Sequence, residues 1–322
     1  MNKINKLLIC IGLAGITGVA YAQVNYPTRA VRLIVPSSPG GGTDISARIL
    51  APQLTQFLGQ QVVVENRPGA GTMIGGEAVA RAAPDGYTLL MGISTLAINP
   101  AMYKKVPYDA LKDLAPISQA VALSNVLVIH PSLPSRNLKE FIAFARARPG
   151  QINFASAGVG TSPHLSMELF LVLANLNMLH VPYKGSGPGV TDLIAGHVPV
   201  MMPNMLSAQP HIKSGRIRAL GVTGTKRAPG ADDIPTIAEA GLPGYEAVQW
   251  YGVLAPAATH RDIITKLHTG VVRALQNPDV RQRLLNDGAE PVGSSPEEFA
   301  TYLRSETVKW AKVIKAAGIK AE

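Results

Sequence analysis

The chain has 322 residues, 47% of them hydrophobic and 16% charged, which describes a globular protein with room for two ordinary domains and excludes a disordered chain. Its formal net charge of +9 comes from scattered lysines and arginines, and with aromatics at 5% there is no basic, aromatic-laced run of the kind that grips nucleic acid. One cysteine, Cys10, excludes a disulfide framework.

In chain order, Lys3 and Lys6 precede an apolar run from Leu7 to Val19, and Ala20-Tyr21-Ala22 then leads into Gln23. That layout predicts a cleaved secretory signal peptide over 1–22 and a soluble mature protein beginning at Gln23. The run falls short of the ~20 apolar residues of a membrane span. Cys10 follows Ile9 and sits too early for a lipid anchor. Cleavage removes Lys3, Lys6 and Cys10, leaving a formal charge of +7 (9 − 2) and no thiol.

Val31 to Val35 reads as a buried strand, and Pro36-Ser37-Ser38-Pro39-Gly40-Gly41-Gly42-Thr43-Asp44 carries it through a glycine-rich turn into a helix start. Free backbone N–H groups and the positive end of the helix dipole then face one spot, which suits an anion. Glycines permit close approach, Ser37, Ser38 and Thr43 add hydroxyls, and Asp44 is placed to cap the helix. An ordinary strand-to-helix turn fits the same letters. A phosphate-binding P-loop does not, since no Gly-Lys-Ser or Gly-Lys-Thr follows, and the three consecutive glycines do not match the spaced dinucleotide fingerprint.

The helical spacing of Ile45, Ile49, Leu50, Leu54, Phe57 and Leu58 continues to Gly59, with Pro52 expected to kink it. Strands are predicted at Val62–Val64 and Tyr87–Met91, with a short helix near Glu77–Ala82 between them; the second strand ends in the polar loop Gly92-Ile93-Ser94-Thr95. Ala120–Ile129 is one apolar run, followed by a helix near Leu138–Arg148 and a strand at Gln151–Ser156. Ala157 to His164, with Gly160, Thr161 and Ser162, is a second glycine and hydroxyl loop that opens a helix. Met178–Val181 runs into Pro182-Tyr183-Lys184-Gly185-Ser186-Gly187, and Val198–Met202 runs into Pro203-Asn204. Ala219–Thr223 reads as a further strand, Gly244–Leu254 as an extended path through Trp250 and Tyr251, and the block from Ile263 as helices packing back on the first domain. Alternating strands and helices predict an α/β architecture with mainly parallel sheets, whose ligands gather beyond the carboxyl ends of the strands.

Seven histidines occur, none at the i, i+4 spacing of a metal site, so no metal or other cofactor is expected. His164, near a helix start, suits either a ligand or a structural role. No G-x-S-x-G elbow appears and no Ser, His and acid can be assigned triad roles, so no catalytic residue is expected. Tyr183 and Lys184 fit a binding loop or a solvated loop tip equally.

On these residues the mature chain resembles the substrate-binding proteins of tripartite tricarboxylate transporters, the Bug or TctC-like family. The matching segments are Tyr26-Pro27, Pro36 to Asp44, Val64-Glu65-Asn66-Arg67-Pro68-Gly69-Ala70-Gly71, Pro84 to Leu89, Ile98-Asn99-Pro100, Val181 to Gly185 and Asp192 to Gly196. The resemblance implies a two-domain periplasmic binding protein of type II, a Venus flytrap with a crossing-strand hinge and the ligand in the cleft. It implies a first domain of 23–125 and 250–322 and a second of 126–249. It also implies a monomer in the periplasm, a small carboxylate ligand and delivery to a two-subunit membrane permease. The ligand carboxylate is then held by Ser37 to Thr43 and by Gly160 to Ser162, and the expected binding set is completed by Asp44, Ser94, Thr95, His164, Tyr183, Lys184 and Asn204. In one place the chain departs from the family pattern: Met202-Pro203-Asn204 replaces Phe-Asp-Asn, which disfavours an amino acid ligand and favours a plain mono- or dicarboxylate. Trp250, Tyr251 and Tyr183 are placed to stack on an aromatic acid or to pack the core. Two other readings stay open on the sequence: a ligand sensor for a two-component kinase, and a secreted hydrolase of an anionic substrate.

Overall fold

The computed structural model describes residues 26–317; the expected signal peptide and its cleavage point lie outside them. The chain opens with a βα alternation: β1 (Val31–Val35), α1 (Gly42–Leu58), β2 (Val62–Asn66), α2 (Met73–Ala80), β3 (Thr88–Ile93) and α3 (Thr95–Met102). β1 pairs in parallel with β2 and with β3. Helix α1 runs through Pro52 and stops at Gly59, whose φ of 69° is the left-handed cap that only a residue without Cβ adopts freely.

The apolar run Ala120–Ile129 is divided between two strands. β4 (Leu114–Ser124) belongs to the first sheet and β5 (Val126–Ile129) to a second, and the chain passes between them at Asn125. The second sheet is completed by α4 (Leu138–Arg146), β6 (Asn153–Ser156), α5 (Ser162–Ala174), β7 (Leu179–Pro182), α6 (Ser186–Ile194), β8 (Val200–Met201), α7 (Met205–Lys213) and β9 (Arg218–Val222). Its strand order is β7-β6-β8-β5-β9. The chain returns through Ala247 into β10 (Val248–Pro256), and α8 (Arg261–Gln276), α9 (Pro278–Asn286), β11 (Ala289–Pro291) and α10 (Pro296–Ala317) finish the first sheet, ordered β11-β4-β10-β3-β1-β2.

The parallel core expected from the βα alternation is present in each sheet, at β2-β1-β3 and at β7-β6-β8. Both sheets are nevertheless mixed, because the strands that cross between them enter antiparallel: β10 against β3 and β4, and β5 against β8 and β9. The two crossings lie side by side. Asn125 accepts from Thr223 N at 2.9 Å and donates its own N–H to Thr223 Oγ1 at 2.8 Å, while Thr223 O accepts from Ala247 N at 2.8 Å. Two adjacent single-strand connections are what allow one sheet to move against the other.

Strand alternation decides which helices cover which face. In the first sheet, Leu33, Val35, Leu89 and Met91 face α1 and α8, while Ile34, Leu90, Trp250 and Leu254 face α3 and α10. In the second, Leu127, Ile129, Phe154 and Val200 pack on α4 and α5, and Val126, Val128, Ala155 and Met201 pack on α6 and α7. The terminal helices therefore do pack back on the first sheet, as their polar and apolar faces predict. No helix among the described residues is long and apolar enough to cross a membrane.

Candidate functional site

The carboxyl ends of β1, β6, β7 and β8 all run into helix starts, and these starts face one another across the gap between the sheets. Gly42 begins α1 behind an N-cap at Gly41, Ser162 begins α5 behind Thr161, Ser186 begins α6 behind Gly185, and Met205 begins α7 behind Asn204. A narrow cavity of about 20 Å³ lies where they meet, lined by Ser37, Gly41, Gly42, Thr43, Thr72, Ile93, Ala157, Thr161, Pro163, Gly185, Ser186, Asn204, Gln249 and Tyr251. Four helix N-termini thus bring positive dipole ends to one point, and those of α1, α5 and α6 have no side-chain cap, while Asn204 caps α7. Every lining side chain is neutral. Ser37 Oγ and Gln249 Oε1 are buried and have no hydrogen-bond partner among the described residues, and Tyr251 OH is buried beside the Thr43 hydroxyl.

The two halves touch around this cavity. Ser38 donates through its N–H at 3.1 Å, and through its hydroxyl, to the carbonyl of Lys184, and Tyr103 OH donates to the carbonyl of Val159 at 3.0 Å. A Cβ on Gly42 would stand 2.2 Å from Asn204 Oδ1 at the start of α7 and 2.6 Å from Tyr251 OH in the first sheet, so the glycine is what lets α1 approach Asn204 beside the Tyr251 hydroxyl.

Of the sixteen residues expected from sequence, Ser37, Gly41, Gly42, Thr43, Thr161 and Asn204 line the cavity. The rest serve its walls. Asp44 does not cap α1, since the cap at Gly41 has no side-chain bond; its carboxylate turns back to accept from Gly40 N at 3.0 Å, Arg48 Nε at 2.9 Å and Asn66 Nδ2 at 3.0 Å. Gly40 joins that bond and lies outside the lining, and Ser38 is the latch to Lys184. Ser94 is fully buried ahead of α3, and Thr95 shares a hydroxyl contact with Thr72, which takes its place in the cavity wall. Gly160 holds a φ of 74° and donates to His164 Nδ1 at 3.2 Å, while Ser162 Oγ accepts from Asn125 Nδ2 at 2.9 Å. Tyr183 OH donates to Asp192 Oδ2 at 2.7 Å, and burial with that carboxylate pushes its hydroxyl up to about 12. Lys184 is exposed and contributes its carbonyl.

His164 is a structural residue. Its ring stacks on His180 with centroids 4.2 Å apart, and Nδ1 accepts from Gly160. Burial first, and the neighbouring His180 second, hold its pKa down to about 3. Glu168 Oε1, 3.6 Å from Nε2, is the acid that faces the ring. Because the folded chain binds fewer protons than the unfolded chain below an ordinary histidine pKa of ~6.5, stability is full above that value and falls as the pH drops from 6.5 towards 3. The expected loss at pH 5 is on the order of 2 kcal/mol. Denaturant titrations across that range should give a flatter curve for His164→Gln; superimposable curves would place the acid lability elsewhere.

Sequence reasoning missed Thr72, Gly185, Ser186 and Gln249. Ser186 was signalled by a strand end followed by small residues opening a helix, and Gln249 and Tyr251 by period 2: they share one face of β10 while Trp250 packs on Phe299 and Tyr302 behind it. Nothing local marks Thr72, which the positive-φ turn through Gly69, Ala70 and Gly71 delivers from afar. A Ser–His pair also exists, Ser156 Oγ to His180 Nε2 at 2.6 Å, but Ser156 is fully buried and lies outside the cavity lining. Pro203 stands where the resemblance leads one to expect an acid, and its carbonyl accepts from Val126 N at 2.8 Å. Among the described residues no carboxylate lines the cavity.

Residues 46–319 match the family model described as the tripartite tricarboxylate transporter family receptor, TctC. The chain belongs to that family. BugT of Bordetella pertussis is 40% identical to this TctC-family chain over 324 residues, covering 99% of each. An R. palustris protein solved with adipate is 38% identical, with a TM-score of 0.89 over 92% of this chain and 99% of its own. MatC from Rhodopseudomonas palustris, with bound malate, is 33% identical, with a TM-score of 0.84 over 90% and 100%. The TctC-family chain accordingly has the two-domain fold of periplasmic binding proteins, and its family consists of solute-binding proteins rather than enzymes. Among the described residues no group of histidines, cysteines and acids is placed to hold a metal.

Proposed function

We propose that this protein captures a small carboxylic acid in the cleft between its two sheets and presents it, closed, to a two-subunit membrane permease of the tripartite tricarboxylate type. It does so in the periplasm after removal of residues 1–22, with 23–125 and 250–322 as one jaw and 126–249 as the other, and it carries out no reaction. The observation that carries this reading is the meeting of four helix N-termini at a cavity with no charged side chain. Helix N-termini and orphan hydroxyls favour a carboxylate, and each charge-assisted bond contributes roughly 1.5–3 kcal/mol once water is excluded. The absence of a lining carboxylate disfavours an ammonium-bearing ligand. The adipate of one relative and the malate of another support diacids as the ligand class.

Since the anion sites lie on both jaws, the ligand binds the closed arrangement better than the open one and shifts the population towards it. Adipate, malate or succinate is expected to raise the melting temperature and lower the radius of gyration in small-angle scattering. The corresponding methyl esters keep the shape and lose the charge, so neither change should follow. An equal response to acid and ester, or turnover of the ester, would overturn the carboxylate reading.

A further inference from the structure

Gln249 is a polar side chain that the carboxylate reading leaves unused. It sits near the start of β10, next to the point where the chain crosses between sheets, and is 2% exposed. Its Oε1 is buried without a hydrogen-bond partner among the described residues, and the side chain lines the cavity beside Ser37 and Tyr251. The other lining amide is committed: Asn204 Oδ1 accepts from Ser207 N at 3.0 Å and Nδ2 donates to Ser186 Oγ at 3.2 Å.

A carboxylate only accepts hydrogen bonds, so it can satisfy the helix N–H groups and the hydroxyls of Ser37 and Tyr251, but not the oxygen of an amide. Gln249 presents one accepting and one donating face, and turning the amide about its last bond exchanges the two without changing what it asks for. An ammonium would answer the oxygen, yet four helix N-termini repel a cation and no lining carboxylate balances it. A hydroxyl answers both faces and carries no charge. We infer that Gln249 reads a hydroxyl on the ligand, so that the site takes hydroxy diacids in preference to plain diacids of the same length. This rests on the carboxylate reading above, and it makes Gln249 the residue that sets specificity within it.

Titration calorimetry on the mature chain with L-malate, D-malate, succinate and adipate tests both levels. One malate enantiomer is expected to bind at least about tenfold more tightly than succinate, because a site built for a hydroxyl leaves its own polar group unpaired when the hydroxyl is missing. In Gln249→Met that ratio should fall to near one. A purely structural role for Gln249 would weaken both acids alike and keep the ratio, which would overturn the inference. Equal binding of malate and succinate by the unaltered protein would overturn it whatever the variant does, and would mean that a water answers the amide. If adipate binds and neither four-carbon acid does, the carboxylate reading stands and this inference falls. If no acid binds, both fall.

Discussion

Gly42→Ala is expected to weaken carboxylate binding by roughly 5- to 150-fold, the equivalent of the about 1–3 kcal/mol that an extra methyl group costs in a packed site. The added Cβ would stand 2.2 Å from Asn204 Oδ1 and 2.6 Å from Tyr251 OH. Neither can step aside cheaply. Asn204 caps α7, accepting from Ser207 N at 3.0 Å and Ser207 Oγ at 2.7 Å, and Tyr251 is fully buried in β10. The clash with Asn204 lies across the cleft and arises only when the jaws meet, whereas Tyr251 belongs to the same sheet as α1 and is met in the open form too, so the melting temperature without ligand should fall modestly while affinity falls further. Gly41→Ala is the contrast, because its Cβ would find nothing nearer than Ser38 O at 3.5 Å and should cost little. Calorimetry on both variants, with scattering to follow closure, measures the difference. Unaltered affinity in Gly42→Ala would mean that the ligand-bound jaws do not meet at this point.

What made this region legible in the sequence was its dependence on local chain. A strand, a glycine turn and a helix start occupy consecutive residues, so Ser37 to Thr43 and the loop to Thr161 could be read as anion sites without knowing anything distant. The same logic overreached at the side chains. A helix N-terminus presents backbone N–H groups, while side chains of its first turn point back and outward, which is why Asp44, Ser162 and His164 brace the loops instead of facing the cavity. Gln249 and Thr72 were hidden for a different reason. Their place is set by the crossing strand and by a turn with three consecutive positive-φ residues following Gly69, so the path of the chain, and no local motif, brings them to the cavity.

The break in the run Ala120–Ile129 shows the same limit at the level of fold. Ten residues read as one uninterrupted apolar run, yet the polar Asn125 within them is fully buried and bonds Ser162 and Ser166 through Nδ2, both at 2.9 Å. A buried amide in an apolar run needs partners. It finds them at the start of α5, which ties the first crossing directly to one wall of the cavity. The second crossing, through Ala247, carries Gln249 and Tyr251 into the cavity lining. Hinge and site are therefore one piece of structure, and a ligand that draws the jaws together acts on the strands about which they turn.

Asp44→Ala is expected to destabilise the first jaw by about 3 kcal/mol and to weaken binding with it. The carboxylate is only 4% exposed and gathers three donors: Gly40 N, Arg48 Nε and Asn66 Nδ2. A charge-assisted bond contributes roughly 1.5–3 kcal/mol. The bond from Arg48 counts for little of this, because that side chain is 53% exposed and regains water when its partner is removed. The cost falls on the loop. Gly40 N loses its acceptor beside the cavity, and Asn66, which also donates to Ser37 O at 2.9 Å, loses the carboxylate that fixes its amide. Both bonds hold the backbone that presents Ser37 and Gly41 to the ligand, so the loop pays in order as well as in energy. Asp44→Asn keeps the shape and one accepting oxygen, turns an NH2 group towards a donor, and should fall between the two. Urea unfolding of the three proteins, each with and without a diacid, gives the stability and the binding term together. A loss below about 1 kcal/mol in Asp44→Ala, the range of an ordinary exposed ion pair, would show that the loop holds its shape by its glycine turn alone and that the buried carboxylate is incidental to the site.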